Sequence, residues 1–269
     1  MKRILTIALC VAIAATGCKK KEEPKKKNNT GTTTSGTTTG GTTTGGTTTG
    51  GSTTGGPGTP TNATSFSGAF TTLEGEMSAM GYSVSINSAS AWFSSTPTAT
   101  LSGIEGIEVG SVHFNNLELE FDSLQGMYIS ESNVAFATET WSVTGNSIIP
   151  SFLQSNPQSR PTTVKVSSLP STITKANGLT INLGTLSNFK VGTIFISDGT
   201  GNPGGIIVQQ LAPGANSITL SSSQLNGFQV GQQTGSIMIM LENGHSLHIN
   251  GKNFYFSQQM SSMTNISIN

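Results

Sequence analysis

Residues 237–256 read IMIMLENGHSLHINGKNFYF and decide the fold. Positions 237–241 are wholly apolar, which indicates a central strand buried on both faces. Asn243-Gly244 and Asn250-Gly251 are strong hairpin signals, because both central residues of a type I′ turn need a positive φ. The stretch therefore predicts strands at 237–241, 245–249 and 252–256, joined by two tight turns.

The same β pattern continues on both sides of this stretch. Short β-branched or aromatic runs between turn residues predict strands at 179–183, 193–197, 205–211, 217–220 and 264–268. Further upstream, Val112-His113-Phe114 and 117–121 flank Asn115-Asn116 and predict a hairpin. Residues 147–162 hold three prolines, which break the pattern and indicate a crossover between lobes.

One segment follows a helical period instead. Ser65 and Gly81 could cap and end a short helix whose apolar residues are spaced 4, 3, 4 and 3 apart, namely Phe66, Phe70, Leu73, Met77 and Met80. Four poor helix formers inside the segment disfavour a helix: Gly68, Thr71, Thr72 and Gly75.

The fold class follows from these patterns together with a local resemblance. Residues 217–220 followed by SSSQLNGFQVG resemble the strand-to-turn connection of fibronectin-type and Ig-like modules. The cysteine pair and corner tyrosine of true Ig domains are absent, so the resemblance implies the architecture alone. We predict an all-β protein with one or two β-sandwich lobes, the C-terminal one fibronectin- or Ig-like. The lobes would span 63–148 and 163–269, with a connection at 149–162, behind a short helix and a disordered tether.

Charge is unevenly distributed along the 269 residues. Thirteen basic residues balance thirteen acidic ones, but eight of the basic residues lie within 1–27. Residues 63–269 hold five basic and eleven acidic residues, a net charge of −6. A nucleic-acid binder needs a basic face, so we expect no nucleic-acid partner. Both cysteines precede position 20, which excludes a disulfide scaffold and a cysteine zinc site in the domain; we expect no cofactor.

The N-terminus has the pattern of an export signal. Lys2 and Arg3 precede an apolar run at 4–15, which suits a signal peptide and is too short to span a bilayer. Starting with the last residue of this run, four residues resemble the lipobox of bacterial lipoproteins: Ala15, Thr16, Gly17 and Cys18. The resemblance implies removal of 1–17 and acylation of Cys18, with palmitate among the acyl chains. Ala15 departs from the usual leucine at the first lipobox position.

Residues 18–62 are predicted to form a flexible tether. Lys21-Glu22-Glu23 resembles the surface-export signal of Bacteroidota lipoproteins, which implies outer-membrane attachment facing outward. Pentads close to GTTTG then repeat from 31 to 55. Glycine and threonine without large apolar residues cannot offset the entropy of ordering, so we expect disorder and a mean span of roughly 35–40 Å.

Few candidates for chemistry emerge from the domain. His245 and His248 lie an odd number of residues apart, so a strand puts them on opposite faces. His113 has no assignable acid partner. The loop 198–202 begins like a calcium loop, but Gln209 stands where the bidentate glutamate belongs. A plain loop is the expectation there, and we expect no metal site.

Paired carboxylates are the remaining catalytic option, since glycosidases need two of them. Candidates are Glu105 with Glu108, and the row Glu118, Glu120 and Asp122, which alternation places on the wet face of a sheet. A structure should show whether Glu105, Glu108 or Glu139 faces Asp198 or Glu242 across a groove.

Three residues are candidates for glycan attachment or glycan binding. Asp122-Ser123-Leu124 matches the short O-glycosylation motif of Bacteroidota secreted proteins, with Ser123 as the acceptor. Trp92 and Trp141 could be sugar-stacking platforms, although core positions are expected for both.

Three segments are similar to recurring parts of uncharacterised secreted Bacteroidota proteins: SASAWFSS at 88–95, VGSVHFNNLEL at 109–119 and WSVTGNSIIPSF at 141–152. The similarity brings no known activity. We expect a lipid-anchored, surface-displayed, non-catalytic binding, adhesion or structural module, whose partners are the membrane and a glycan or envelope protein. The alternatives are a surface glycan hydrolase with paired carboxylates and a periplasm-facing envelope assembly factor.

Overall fold

A computed structural model describes residues 58–79, 82–99, 106–132, 135–231 and 235–269. These residues fold into strands with three single-turn 3-10 helices, at Val166–Ser168, Lys175–Asn177 and Pro203–Gly205. The prediction of an all-β fold is therefore confirmed. No helix in these ranges is long and apolar enough to cross a membrane.

The fifteen strands fall into a short and a long class. The first eight are β1 (Thr59–Thr61), β2 (Phe66–Ala79), β3 (Tyr82–Thr98), β4 (Val112–Phe114), β5 (Leu117–Asp122), β6 (Met127–Ser132), β7 (Thr140–Val143) and β8 (Phe152–Ser155). The others are β9 (Thr172–Ile173), β10 (Leu179–Asn182), β11 (Val191–Ser197), β12 (Ile206–Leu211), β13 (Ser217–Leu220), β14 (Gly235–Ile249) and β15 (Lys252–Ile268). Four strands of 14 to 17 residues, β2, β3, β14 and β15, form the centre of the fold.

One large sheet holds thirteen of the strands in the order β12-β11-β14-β15-β2-β3-β6-β5-β4-β7-β8, with β1 beside β14 and β9 beside β15. The β15–β2 pair is parallel, whereas β14–β15 and β2–β3 are antiparallel. A separate pair, β10 and β13, forms a second small sheet.

Two apolar cores lie on the same face of the long strands. The first core packs around Phe70 and Trp141, and the second packs around Ile181 and Ile194. In β14 the odd-numbered side chains share one face. Of these, Leu247 and Ile249 belong to the first core, and Ile237, Ile239 and Leu241 belong to the second. We call this side the core face and the opposite side the back face. Both β14 and β15 run through both cores, so residues 247–256 pack with the N-terminal part of the chain.

The first core is aromatic and the second aliphatic. Phe70 of β2 lies 4.8 Å from Phe256, 4.9 Å from Trp141 and 5.6 Å from Phe152, measured between ring centroids. These contacts require the β4-β7-β8 end of the sheet to curl over β2 and β15. In the second core, the β10–β13 pair covers β11 and β14 with Ile181, Ile218 and Leu220. Each core is thus enclosed between two β layers, as in a sandwich.

The helix predicted between Ser65 and Gly81 is wrong. Residues 66–79 form β2, which pairs with both β3 and β15 along its length. The apolar residues serve two faces: Phe70 points into the first core, whereas Leu73 and Met77 lie on the back face. A helical period arose because a strand with apolar residues on both faces can mimic spacings of three and four.

The turn predicted at Asn243-Gly244 is also wrong, because β14 runs unbroken from 235 to 249 against β15. Gly244 serves packing instead: a Cβ there would overlap the Tyr255 hydroxyl, which donates a hydrogen bond of 2.7 Å to Glu242 Oε1. The turn at Asn250-Gly251 is confirmed, with φ of 48° and 82° and strands pairing on both sides.

Most other strand predictions are confirmed. The hairpin around Asn115-Asn116 pairs Val112 with Leu119 and Phe114 with Leu117, and Asn115 has a φ of 53°. Strands at 179–183, 193–197, 205–211 and 217–220 correspond to β10 to β13, within two residues at each end. The segments predicted at 252–256 and 264–268 are the two ends of one strand, β15.

Candidate functional site

Polar side chains interrupt the core face between the two cores. Moving along the sheet from Phe70 and Phe256, the next register row holds Thr72 opposite Gln258, and Gln258 opposite Asn243. All three are buried. Glu74 follows Thr72 on the same face. We call this strip, together with the two charged residues described next, the polar belt.

Glu139 is the most constrained member of the polar belt. It precedes β7, is 6% exposed, and receives three short hydrogen bonds. Thr72 Oγ1 donates at 2.7 Å and Arg160 Nη2 at 2.9 Å to Oε1, and Asn156 Nδ2 donates at 2.8 Å to Oε2. The Gln258 side chain bonds the same carboxylate. Few oxygen lone pairs remain for a substrate.

Arg160 holds a second carboxylate as well. It lies in the segment between β8 and the second core, and its Nη1 forms an ion pair with Glu74. Glu74 Oε1 also accepts the Phe136 N–H at 2.7 Å, and the guanidinium stacks 5.5 Å from the centre of the Phe136 ring. A single cation thus fastens the crossing segment to both β2 and the start of β7.

Burial sets the electrostatics of this pair. Burial raises the pKa of Glu139, although the hydrogen bonds from Thr72 and Asn156 oppose the rise. Burial likewise lowers the pKa of Arg160. Both changes reflect the cost of taking charges out of water, which close pairing offsets.

A cleft of about 230 Å³ adjoins Glu74. Its floor is the core face of β2, β3 and β15, and it is lined by Glu74, Gly75, Glu76, Ser85, Asn87, Ala135, Thr163 and Met260. Glu76 and Glu74 lie two residues apart on one strand and so share this face. Because Glu74 is bound to Arg160, the cleft offers hydrogen-bonding groups without a free carboxylate pair.

His245 lies on the core face beside the first core. Its ring stacks on Phe256 with centroids 5.7 Å apart, and both ring nitrogens are buried without a hydrogen-bond partner. Burial, with the nearby Lys190 charge, lowers the pKa of His245 to about 4. His248 is exposed, and its Nδ1 lies 2.8 Å from Asn253 Oδ1. The prediction that the two histidines lie on opposite faces is confirmed. His245 pairs with Phe256 on the core face, whereas His248 pairs with Asn253 on the back face.

The acidic row is a solvent-facing strand surface, as expected. Glu118 and Glu120 are exposed, and Leu119 between them is buried. Asp122 accepts hydrogen bonds from the Leu124 N–H at 2.8 Å and from Gln125 Nε2 at 2.7 Å. The Gln125 side chain, then the Leu124 N–H, lowers the pKa of Asp122. Ser123 is exposed in this turn, and Leu124 beside it is 96% exposed.

Asp198 braces a loop with both of its carboxylate oxygens. It is fully buried, and its oxygens accept the Thr200 N–H at 2.9 Å, the Thr200 hydroxyl at 2.7 Å and the Gln229 N–H at 2.9 Å. Burial raises the pKa of Asp198, but these hydrogen bonds outweigh it and hold the pKa below its usual value. Across the described ranges, no group of three or more His, Cys, Asp or Glu could hold a metal ion.

Among the described residues, which do not include Glu105, the predicted carboxylates do not face one another across a groove. Glu139 contacts Arg160, Asp198 contacts its own loop, and Glu242 accepts the Tyr255 hydroxyl. Glu108 is exposed, and Asn146 Nδ2 donates to its carbonyl at 3.0 Å. Trp141 and Trp92 are 1% and 6% exposed, so neither is a sugar platform.

Several predictions lie outside the described residues. The lipobox Ala15, Thr16 and Gly17, the acylation site Cys18, the sorting signal Lys21-Glu22-Glu23 and Glu105 are among them. They stay predictions.

Sequence reasoning missed Glu74, Gln258 and the role of Arg160. A usable signal existed: Arg160 is one of five basic residues after position 27, and it lies between Pro157 and Pro161 in a crossing segment. A lone cation in such a place indicates a buried acidic partner. The partners themselves are Glu139, 21 residues earlier and just before β7, and Glu74 on β2, 86 residues earlier; the sequence spacing alone does not reveal such pairs.

Comparisons with known proteins assign no family. No family model and no curated protein matches the chain. Among solved structures, the fibronectin domains FN1-FN3 of chicken CNTN1 align at 12% identity over 74% of this chain and 65% of that one, with a TM-score of 0.23. The four N-terminal Ig domains of Dscam1 isoform 7.44 align at 10% identity over 73% and 51%, with a TM-score of 0.18. The chain thus spans less than two thirds of either structure's length.

Proposed function

We propose that the protein is a lipid-anchored component of a bacterial outer membrane, displayed at the cell surface, whose β-domain binds or scaffolds and does not catalyse. The observation that carries the non-catalytic part is the engagement of Glu74 and Glu139 by one arginine. A glycosidase needs one carboxyl group as a proton donor and another free to act as base or nucleophile. Neither role suits carboxylates held as hydrogen-bond acceptors inside the protein.

The anchoring part is supported by the sequence. An apolar run followed by ATGC precedes a charged segment and a Gly/Thr-rich tether. Each acyl CH₂ buried in a bilayer contributes about 0.8 kcal/mol, so two or three chains anchor a protein almost permanently. Labelling cells with palmitate should mark the wild-type protein and leave Cys18→Ala unlabelled. Persistent label in Cys18→Ala would show that Cys18 is not the acylation site.

The absence of catalysis is tested with the purified full-length chain. A broad screen of glycan and ester substrates should give no turnover above that of a blank preparation. Turnover that is abolished by Glu139→Gln or Glu76→Gln, in variants that keep the wild-type thermal midpoint, would favour the hydrolase alternative.

Ser123 is the modification site that we propose. The Asp122 side chain folds the turn through the Leu124 N–H and leaves the Ser123 hydroxyl at the surface. Mass spectrometry of the protein from its native host should find a glycan on the peptide that contains Ser123. Ser123→Ala should lose that mass, whereas Ser130→Ala should keep it.

A further inference from the structure

Strand β12 ends the large sheet with an unprotected edge. Within the described part of the chain it pairs with β11 alone, in register over six consecutive positions without a bulge. Its sequence, IIVQQL, holds no charge, proline or glycine. The unpaired N–H and C=O groups of an edge strand can pair with a strand of another chain. Natural sheets prevent this with lysine, proline, bulges or short edge strands. The β12 edge carries none of these features.

The opposite end of the sheet differs. β8 has four residues, and the adjacent Ser151 carbonyl accepts the Asn250 amide at 3.0 Å. The Gln154 side chain of β8 accepts the Gly58 N–H at 2.7 Å. The β8 edge is therefore short and partly covered, whereas the β12 edge is neither.

A continuous row of apolar side chains on the back face leads to β12. Direct register partners share a face of the sheet, and six such partners on six neighbouring strands form what we call the apolar row: Val208, Phe195, Met238, Met263, Met77 and Val84. Its centre is packed, with Met238 7% exposed, but both of its ends are open, with Val208 on β12 41% exposed and Val84 on β3 51% exposed. At the unprotected edge the apolar row therefore ends in a valine, Val208, that is half exposed.

We propose that β12 pairs antiparallel with β12 of a second copy of this chain, with Val208 opposite Val208 across a two-fold axis. This register matches Ile206 with Gln210 of the other copy and keeps the back faces of both sheets on one side. It joins the two apolar rows into one and covers Val208 of each copy.

Charge opposes a second copy least at this end. The domain carries a net charge of −6, so two copies repel unless their acidic surfaces stay apart. The row of Glu118 and Glu120 lies on β5, seven strand positions from β12. That is about 33 Å along the sheet, well beyond the screening length of about 8 Å at physiological salt.

The contact is small. Six residues span about 20 Å of strand, and the edge buries far less than the roughly 800 Å² per partner of a standard interface. Pairing is therefore weak in dilute solution and is favoured when copies are concentrated on one surface. That enhancement rests on the proposed lipid anchoring, whereas the pairing itself does not.

Cross-linking of the full-length chain in detergent tests the pairing. Directly opposite residues have Cβ atoms about 4.5–5.5 Å apart, so Val208→Cys can form a disulfide with its copy after a small movement. The control is Leu124→Cys, which is more exposed but lies in a turn of another strand pair. Under mild oxidation, Val208→Cys should give covalent dimer about ten times faster than Leu124→Cys and the wild type. Equal rates, or adducts with a different protein in place of dimer, would overturn the proposal.

A charge exchange tests the two-fold register independently. Like charges directly opposite each other oppose pairing, and opposite charges favour it. Full-length Val208→Lys and Val208→Glu chains with different tags should co-purify when they are mixed at high concentration and fixed with a short cross-linker before purification. Under the same conditions neither should co-purify with a differently tagged copy of itself. Co-purification that does not depend on the charge combination would contradict the register. A failure of lipid anchoring would instead appear as lost palmitate labelling with cross-linking intact.

Discussion

Removing the Arg160 guanidinium should strongly destabilise the domain, because it leaves two carboxylates without their cation. In Arg160→Met, the methionine keeps part of the side-chain volume but leaves Glu139, 6% exposed, without its cation. Breaking a buried ion pair by removing one partner costs about 3–5 kcal/mol. For a domain of this size, 1 kcal/mol shifts the thermal midpoint by about 2–4 °C, so we expect a loss of roughly 6–20 °C.

The loss should depend on pH. Burial raises the pKa of Glu139 in the folded wild type, and removal of Arg160 raises it further. A folded-state pKa above the unfolded value favours the folded state at low pH, and this advantage disappears as pH rises through the folded pKa. The midpoint difference between Arg160→Met and wild type should therefore be small near pH 4 and largest above pH 7.

The assay is thermal unfolding followed by far-ultraviolet circular dichroism at several pH values. Lys165→Met is the matched control, because Lys165 is an exposed cation five residues away. It should shift the midpoint by less than about 2 °C, as expected for a surface charge. In Arg160→Met with Glu139→Gln, part of the loss should be recovered, because one uncompensated charge is gone. An Arg160→Met midpoint close to that of the control, or a loss independent of pH, would refute the reasoning.

Three further outcomes are expected. Gly244→Ala should lower stability by about 1–3 kcal/mol, because its Cβ displaces the Tyr255 hydroxyl from Glu242; urea unfolding measures this, and an unchanged midpoint would contradict the packing role of Gly244. His245→Leu should become more stable relative to wild type as pH falls from 6.5 towards 4, because the low pKa of buried His245 lets the unfolded wild type bind the proton first; parallel stability curves over that range would argue against it. Deletion of one GTTTG pentad should leave the thermal midpoint unchanged, since a coil linker acts through its length, and a shift of several degrees would indicate that the repeat packs on the domain.

Local sequence patterns were enough to predict the strands and turns in which one face of the strand is polar. The alternation of Glu118 and Glu120 with Leu119, the Asn115-Asn116 hairpin and the Asn250-Gly251 turn follow from two-residue periodicity and positive φ. The strand boundaries near 179–220 follow from the same rules.

The long central strands could not be predicted from such rules. β2 carries apolar residues on both faces, so its spacing resembled a helix, and the pairing partner that settles the matter, β15, lies near the other end of the chain. Gly244 resembled a turn residue in the sequence. The structural reason for a glycine at this position is the close approach of the Tyr255 hydroxyl, which is a tertiary contact. The polar belt depends on the same long-range pairing.

Protease treatment of intact cells of the native host tests the central claim most directly. If the domain is lipid-anchored and displayed, an added protease should cut within residues 28–57 and release a folded fragment that contains Phe66–Ala79 through Lys252–Ile268, while a periplasmic marker stays intact. Protection of the whole chain until the outer membrane is breached would contradict surface display and favour the periplasm-facing alternative.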